Sequence, residues 1–163
     1  MNRKAKKQMR VLRVVLIALA GLTLSAHAAE QERPQVARYA KVYRGPEGLT
    51  ISLLGIGAPD SNKFLLQYTG INHDWDMKIF EVEKVVSGTG HNYKMTINGR
   101  EYHTFVERPS WGGASSYEVY IPTLADGMNV VYDEGYSQRV VPEHYLTDYL
   151  QQGDGKAAGP AWR

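Results

Sequence analysis

The clearest alternation of apolar and polar positions runs through residues 91–107, on either side of Asn98-Gly99. An Asn-Gly pair between alternating segments favours a type I′ turn, because both central residues of that turn need a positive φ. The segment is therefore predicted to be a β-hairpin with one buried and one solvent-exposed face. The buried face collects the apolar residues of both strands: Tyr93, Met95, Ile97, Tyr102 and Val106.

The two-residue turn also predicts the register of this hairpin. It places Ile97 opposite Arg100 and, further from the turn, Tyr93 opposite Thr104. Phe105 is the one apolar residue that this register leaves on the polar face.

Shorter alternating segments predict further strands at residues 36–43, 49–53, 63–68, 77–86, 117–121 and 128–132. Residues 142–152 carry the one clear helical pattern, with Pro142 at the first position and Gly153 after the last turn. The apolar stripe of this helix is expected to dock on the sheet; it contains Tyr145, Leu146, Tyr149 and Leu150. The predicted fold class is mainly β, a small antiparallel β-sandwich or partly open barrel with one C-terminal helix.

The first 28 residues have a different pattern. Residues 1–13 hold six basic and no acidic residues, residues 14–24 are an apolar run, and Ala26-His27-Ala28 supplies small residues before a cleavage point. This order is typical of a secretory signal peptide of bacterial type. The apolar run is shorter than the roughly 20 residues that a membrane-spanning helix needs. We therefore expect cleavage after Ala28 and a periplasmic or secreted protein.

The expected organisation is a cleaved signal peptide at 1–28, a flexible lead-in at 29–35, a single β-rich domain at 36–153 and a disordered tail at 154–163. Without residues 1–28 the chain has 13 basic and 17 acidic residues, a net charge of −4. That charge argues against nucleic-acid binding, and no membrane contact is expected after cleavage. The absence of cysteine excludes disulfides and thiol catalysis.

Aromatic residues supply the candidate binding site. Trp111 lies in a loop rich in Gly and Ser, where it can anchor a partner or stack on a sugar ring. Trp75, between two aspartates, is a second candidate, although it can instead fold back and cap one end of the core. His103 on the polar face of the hairpin and Tyr120 complete the predicted binding residues.

His73, Asp74 and Asp76 are the densest polar cluster, and their side chains are of the types that coordinate divalent metals. Loops rich in Asp also bond their own backbone, and the spacing matches no regular metal motif. No G-x-S-x-G nucleophile motif occurs. The sequence therefore predicts no metal or other cofactor and no enzymatic activity, with a metal-assisted hydrolase at this loop as a minor alternative.

The leading hypothesis is a non-catalytic periplasmic protein that recognises another protein, as an inhibitor or immunity protein does. Its negative charge favours a basic partner. The alternative is a module that binds an envelope glycan such as peptidoglycan, with Trp111, Trp75 and Tyr120 as stacking platforms.

Overall fold

The computed structural model describes residues 33–110, 112–122 and 124–152. The signal peptide predicted at 1–28, most of the lead-in, Trp111 and the tail predicted at 154–163 lie outside the described residues.

Eight antiparallel strands follow one another around a closed barrel, in which each strand pairs with the next and the last pairs with the first. A 3₁₀ turn at Pro46–Gly48 joins the first two strands. The mainly β class is thus confirmed, and closure leaves the sheet without a free edge. The strands are β1 (Lys41–Arg44), β2 (Thr50–Ile56), β3 (Lys63–Thr69), β4 (Ile79–Ser87), β5 (Gly90–Ile97), β6 (Arg100–Pro109), β7 (Ser115–Val119) and β8 (Met128–Tyr132).

The β5–β6 hairpin has the predicted turn. Asn98 and Gly99 have φ values of 51° and 75°, as a type I′ turn requires. Ile97 pairs with Arg100, so the register next to the turn is confirmed.

Farther from the turn the predicted register is wrong. Tyr93 pairs with Phe105 and not with Thr104, because β6 contains a bulge that leaves Thr104 as an extra residue. The hydroxyl of Thr104 is buried and donates a hydrogen bond to the carbonyl of Tyr93 at 3.0 Å. Every later residue of β6 therefore changes face: Phe105 enters the core, and Glu107 lies opposite His91.

Side chains fill the inside of the barrel. Register places Leu53, Leu66 and Phe80 side by side on neighbouring strands, and all three are buried. Aromatic rings from other strands continue this core, with Tyr43 and Phe105 at 4.8 Å between centroids. Because the interior is packed, any ligand must bind at an end or on the outer surface.

Two helices of the described residues cover part of the outer surface. The first, α1 (Glu134–Ser137), follows β8 directly, and the predicted C-terminal helix is α2 (Pro142–Gln151). Leu146 of α2 is buried against Leu54, Leu65 and Ile79 on the outer face of β2–β4. No helix in the described part of the chain has the length and apolar character that a membrane span requires.

Candidate functional site

Trp75 was predicted to be a binding residue, but the structure places it in the core. It lies in the β3–β4 connection and is 1% exposed. Its indole packs against the rings of Tyr68 and Phe80, at centroid distances of 5.6 and 5.0 Å. An indole enclosed in this way offers no face to a sugar or a protein, and it caps one end of the core as in the alternative interpretation.

The polar residues beside Trp75 bond the loop that carries them. Asp76 accepts hydrogen bonds from the backbone nitrogens of Gly70 and Ile71, at 2.8 and 3.2 Å. Nδ1 of His73 accepts from the backbone nitrogen of Trp75 at 3.0 Å. Among the described residues, no group of three or more His, Cys, Asp or Glu side chains, this loop included, is placed to hold a metal ion.

His103 and Tyr120 line the same groove on the outer face of β5–β7, with a cavity volume of about 580 Å³. Nδ2 of Asn92 lies 3.2 Å from Nδ1 of His103 within it. Arg108, at the edge, donates to Oε2 of Glu118 at 2.6 Å, and this bond lowers the pKa of the Glu118 carboxyl. The structure thus places two predicted binding residues in one polar groove, and Arg108 at its edge is already paired with Glu118.

A second surface, around β1, β8 and α1, is rich in exposed tyrosine and arginine. The guanidinium carbon of Arg38 lies 5.1 Å from the ring centroid of Tyr39. Tyr39 is 63% exposed. We call this set the tyrosine–arginine surface: Tyr39, Tyr132, Tyr136, Arg38, Arg44 and Arg139.

Tyr136 lies on α1 between two cations. The guanidinium carbons of Arg44 and Arg139 lie 4.8 and 4.9 Å from its ring centroid. Both distances are within the ~6 Å over which a cation is attracted to an aromatic ring. The residue is nevertheless 41% exposed, so a partner can still reach it.

Local hydrogen bonds fix α1 and hence Tyr136. Asp133 caps the helix by accepting from the backbone nitrogen of Tyr136 at 2.9 Å, and its other oxygen lies 4.0 Å from Nη1 of Arg44. The buried hydroxyl of Ser137 accepts from the backbone nitrogen of Val42 in β1 at 2.8 Å. A helix of one turn is too short to hold its shape alone, so this contact with the barrel positions it.

The ring of Tyr132 packs against a core residue. Its ring meets the buried Tyr43 edge-on at 5.8 Å between centroids, while 43% of the residue remains exposed. A concavity of about 680 Å³ separates Tyr132 from Tyr39, with Arg38 and Glu134 also in its wall. The surface therefore combines a concave shape with aromatic rings of fixed orientation.

The sequence interpretation missed this surface. It predicted a strand ending at Tyr132 and no helix at residues 133–137. Asp133 followed by Glu134 is a helix-start signal, with an N-cap and an acid in the first turn. The spacing of Arg44 and Tyr136 along the chain gives no sign that closure of the barrel brings them together.

No family model matches this chain, and neither a curated protein nor a solved structure matches it.

Proposed function

We propose that this protein is a non-catalytic binding protein that recognises another protein through the tyrosine–arginine surface. The observation that carries the proposal is the composition of that surface: three exposed tyrosines lie with three arginines, and Tyr39, Tyr132 and Arg38 line its concavity. Tyrosine and arginine, with tryptophan, dominate the binding energy of protein interfaces.

The fixed orientation of these side chains supports the same function. Immobilising a side chain at an interface costs about 0.5–1.5 kcal/mol in lost rotamer freedom. Tyr132 already rests on Tyr43, and Tyr136 is already held between Arg44 and Arg139. Much of that cost is thus met in the free protein, which favours tight binding.

The partner's contact patch must offer groups that arginine recognises. Carboxylates and backbone carbonyls accept the paired N–H groups of a guanidinium, and the concavity between Tyr39 and Tyr132 accommodates an apolar side chain. At longer range, the net charge of −4 expected for the mature chain favours a partner that is basic overall. A periplasmic inhibitor or immunity protein acting on a basic hydrolase or toxin fits both requirements.

A retention experiment tests the proposal. The protein is immobilised and exposed to envelope extract as wild type, as Tyr136→Ala and as Tyr120→Ala, the last being a matched tyrosine variant in the His103 groove. We expect a specific protein to be retained by wild type and Tyr120→Ala, and its affinity for Tyr136→Ala to fall by about 2 kcal/mol, the size of a hot-spot residue.

Two results would contradict the assignment. Loss of retention with Tyr120→Ala alone would move the binding site to the groove. Sedimentation of the wild type with purified peptidoglycan, without any protein retained, would favour the glycan-binding alternative, for which Trp111 and Tyr120 remain the predicted residues.

A further inference from the structure

A pocket separate from the His103 groove opens at the end of the barrel opposite Trp75, beneath the β2–β3 connection. Its cavity volume is about 360 Å³, which is in the range of small-molecule sites. Register places Gly55 beside Phe64 and places Lys84 beside Tyr93, whose ring is in the core. Two of the lining side chains, Phe64 and Lys84, therefore face the inside of the barrel, at the end of the core.

One part of the pocket lining is apolar and includes a glycine, Gly55. A Cβ atom at Gly55 would lie 3.4 Å from the Cβ of Ala37 and 3.6 Å from the ring of Phe64. Those are ordinary contact distances. A side chain at position 55 would therefore contact Ala37 and Phe64 and fill this part of the pocket. Phe64 itself is fixed by an edge-on contact with Tyr93 at 5.2 Å between centroids.

The lining of the pocket also includes a cation, Lys84. Lys84 lines the pocket and is partly buried, yet none of the ion pairs between described residues includes it. Lys63, which also lines the pocket, is different, because its ammonium pairs with Glu81 at 3.0 Å. An ammonium that forms no ion pair with a described residue can make a charge-assisted hydrogen bond to an anionic group bound beside it.

We propose that this pocket binds a small molecule with one anionic group and a compact aromatic body. The anion lies at the ammonium of Lys84, and the aromatic body packs against Phe64 in an offset or edge-on arrangement. This ligand site is additional to protein recognition and does not depend on it.

Titration calorimetry with 2-naphthoate tests the proposal, with 2-naphthylmethanol as the neutral probe of similar shape. Wild type is compared with Lys84→Met, which keeps the apolar stem of the side chain, and with Lys94→Met, which removes the same charge from β5. We expect naphthoate to bind Lys84→Met at least about tenfold more weakly than wild type and Lys94→Met, a difference of ~1.4 kcal/mol. The neutral probe should bind wild type and Lys84→Met equally weakly.

Gly55→Val provides a second variant that leaves the charge in place. Its side chain fills the apolar wall, so we expect it to abolish naphthoate binding while the circular dichroism of the barrel is retained. Equal naphthoate affinity for Lys84→Met and Lys94→Met, unchanged binding in Gly55→Val, or no saturable binding to wild type at about 1 mM would each overturn the proposal.

Discussion

Thr104 decides which residues of β6 face the core. Without the bulge at this residue, Phe105 would point to solvent and the opposite residues of β5 would lose their aromatic neighbour. A buried hydrogen bond from the Thr104 hydroxyl to the carbonyl of Tyr93 stabilises the bulge. A threonine in the middle of a strand is otherwise unremarkable in sequence, since its β-branched side chain suits either face of a sheet.

Replacing Thr104 by Val therefore removes a hydrogen bond and keeps the shape. We expect Thr104→Val to lower the free energy of unfolding by about 1–3 kcal/mol, because the carbonyl of Tyr93 loses a buried donor. Urea denaturation measures the loss. Thr96→Val, at an exposed position of β5, is the matched control and should change stability by less than about 0.5 kcal/mol. Equal effects of the two variants would mean that the Thr104 hydroxyl does not hold the bulge.

The limit of sequence prediction is visible at this residue. The Asn98-Gly99 turn was predictable because its backbone needs residues that tolerate positive φ. The bulge was not, because alternation alone assumes that every residue of a strand changes face. The appearance of Phe105 on an otherwise polar face was the available hint that the register shifts.

Among the secondary-structure elements, α2 buries only part of its apolar stripe when it docks on the barrel. The sequence predicted that Tyr145, Leu146, Tyr149 and Leu150 share one face. The structure buries the first three, whereas Leu150 at the edge of the stripe remains 45% exposed. The two leucines of one helix thus lie in opposite environments.

These two leucines make a matched pair for mutation. Leu146→Ala should cost about 2–5 kcal/mol, because it leaves a cavity between α2 and the outer face of β2–β4. Leu150→Ala should cost less than about 0.5 kcal/mol. Thermal or urea unfolding distinguishes them. Similar losses from both variants would show that α2 docks in another orientation.

The short helix α1 had no comparable signal. Four residues are too few for a helical period to be recognised, and α1 depends on Ser137 and Asp133 for its place on the barrel. Because Tyr136 lies on this helix, the candidate surface could not be predicted along with the strands.

For the whole molecule, burial of tyrosine rings predicts sensitivity to alkali. Burial raises the pKa of Tyr43, Tyr68, Tyr93 and Tyr145 far above the ordinary 10.0, and burial with Glu81 beside it raises the pKa of Tyr149 to about 12. When the pKa of a phenol is higher in the folded state than in the unfolded state, the folded chain keeps that proton to a higher pH. Stability from these groups is therefore complete below pH 10 and is lost as the pH rises above it.

Urea midpoints measured from about pH 8 to about pH 11 should stay level at first and then fall above about pH 10. Tyr149→Phe removes one of the titrating groups, so its midpoint should fall less over the same interval. A wild-type midpoint that stays constant to the end of this range would contradict the burial of the phenol groups.

The closed barrel also explains why the strands were predictable and the site was not. Each strand is coded by local alternation, and neighbouring strands follow in chain order, so the class could be predicted from the sequence. A surface formed where β1 meets β8 joins residues from the two ends of the domain, such as Tyr39 and Tyr132. Their proximity depends on closure, which no local pattern specifies.

Site-specific photocrosslinking tests the proposed recognition of a protein most directly. The photoreactive residue p-benzoylphenylalanine replaces Tyr136 in one variant and Tyr120 in another, and cells are irradiated with the protein in its native compartment. The proposed function predicts a discrete crosslinked product of higher mass at position 136 and none at position 120. A product at position 120 alone, or no product at either position, would contradict the assignment of the tyrosine–arginine surface as the site that binds a protein.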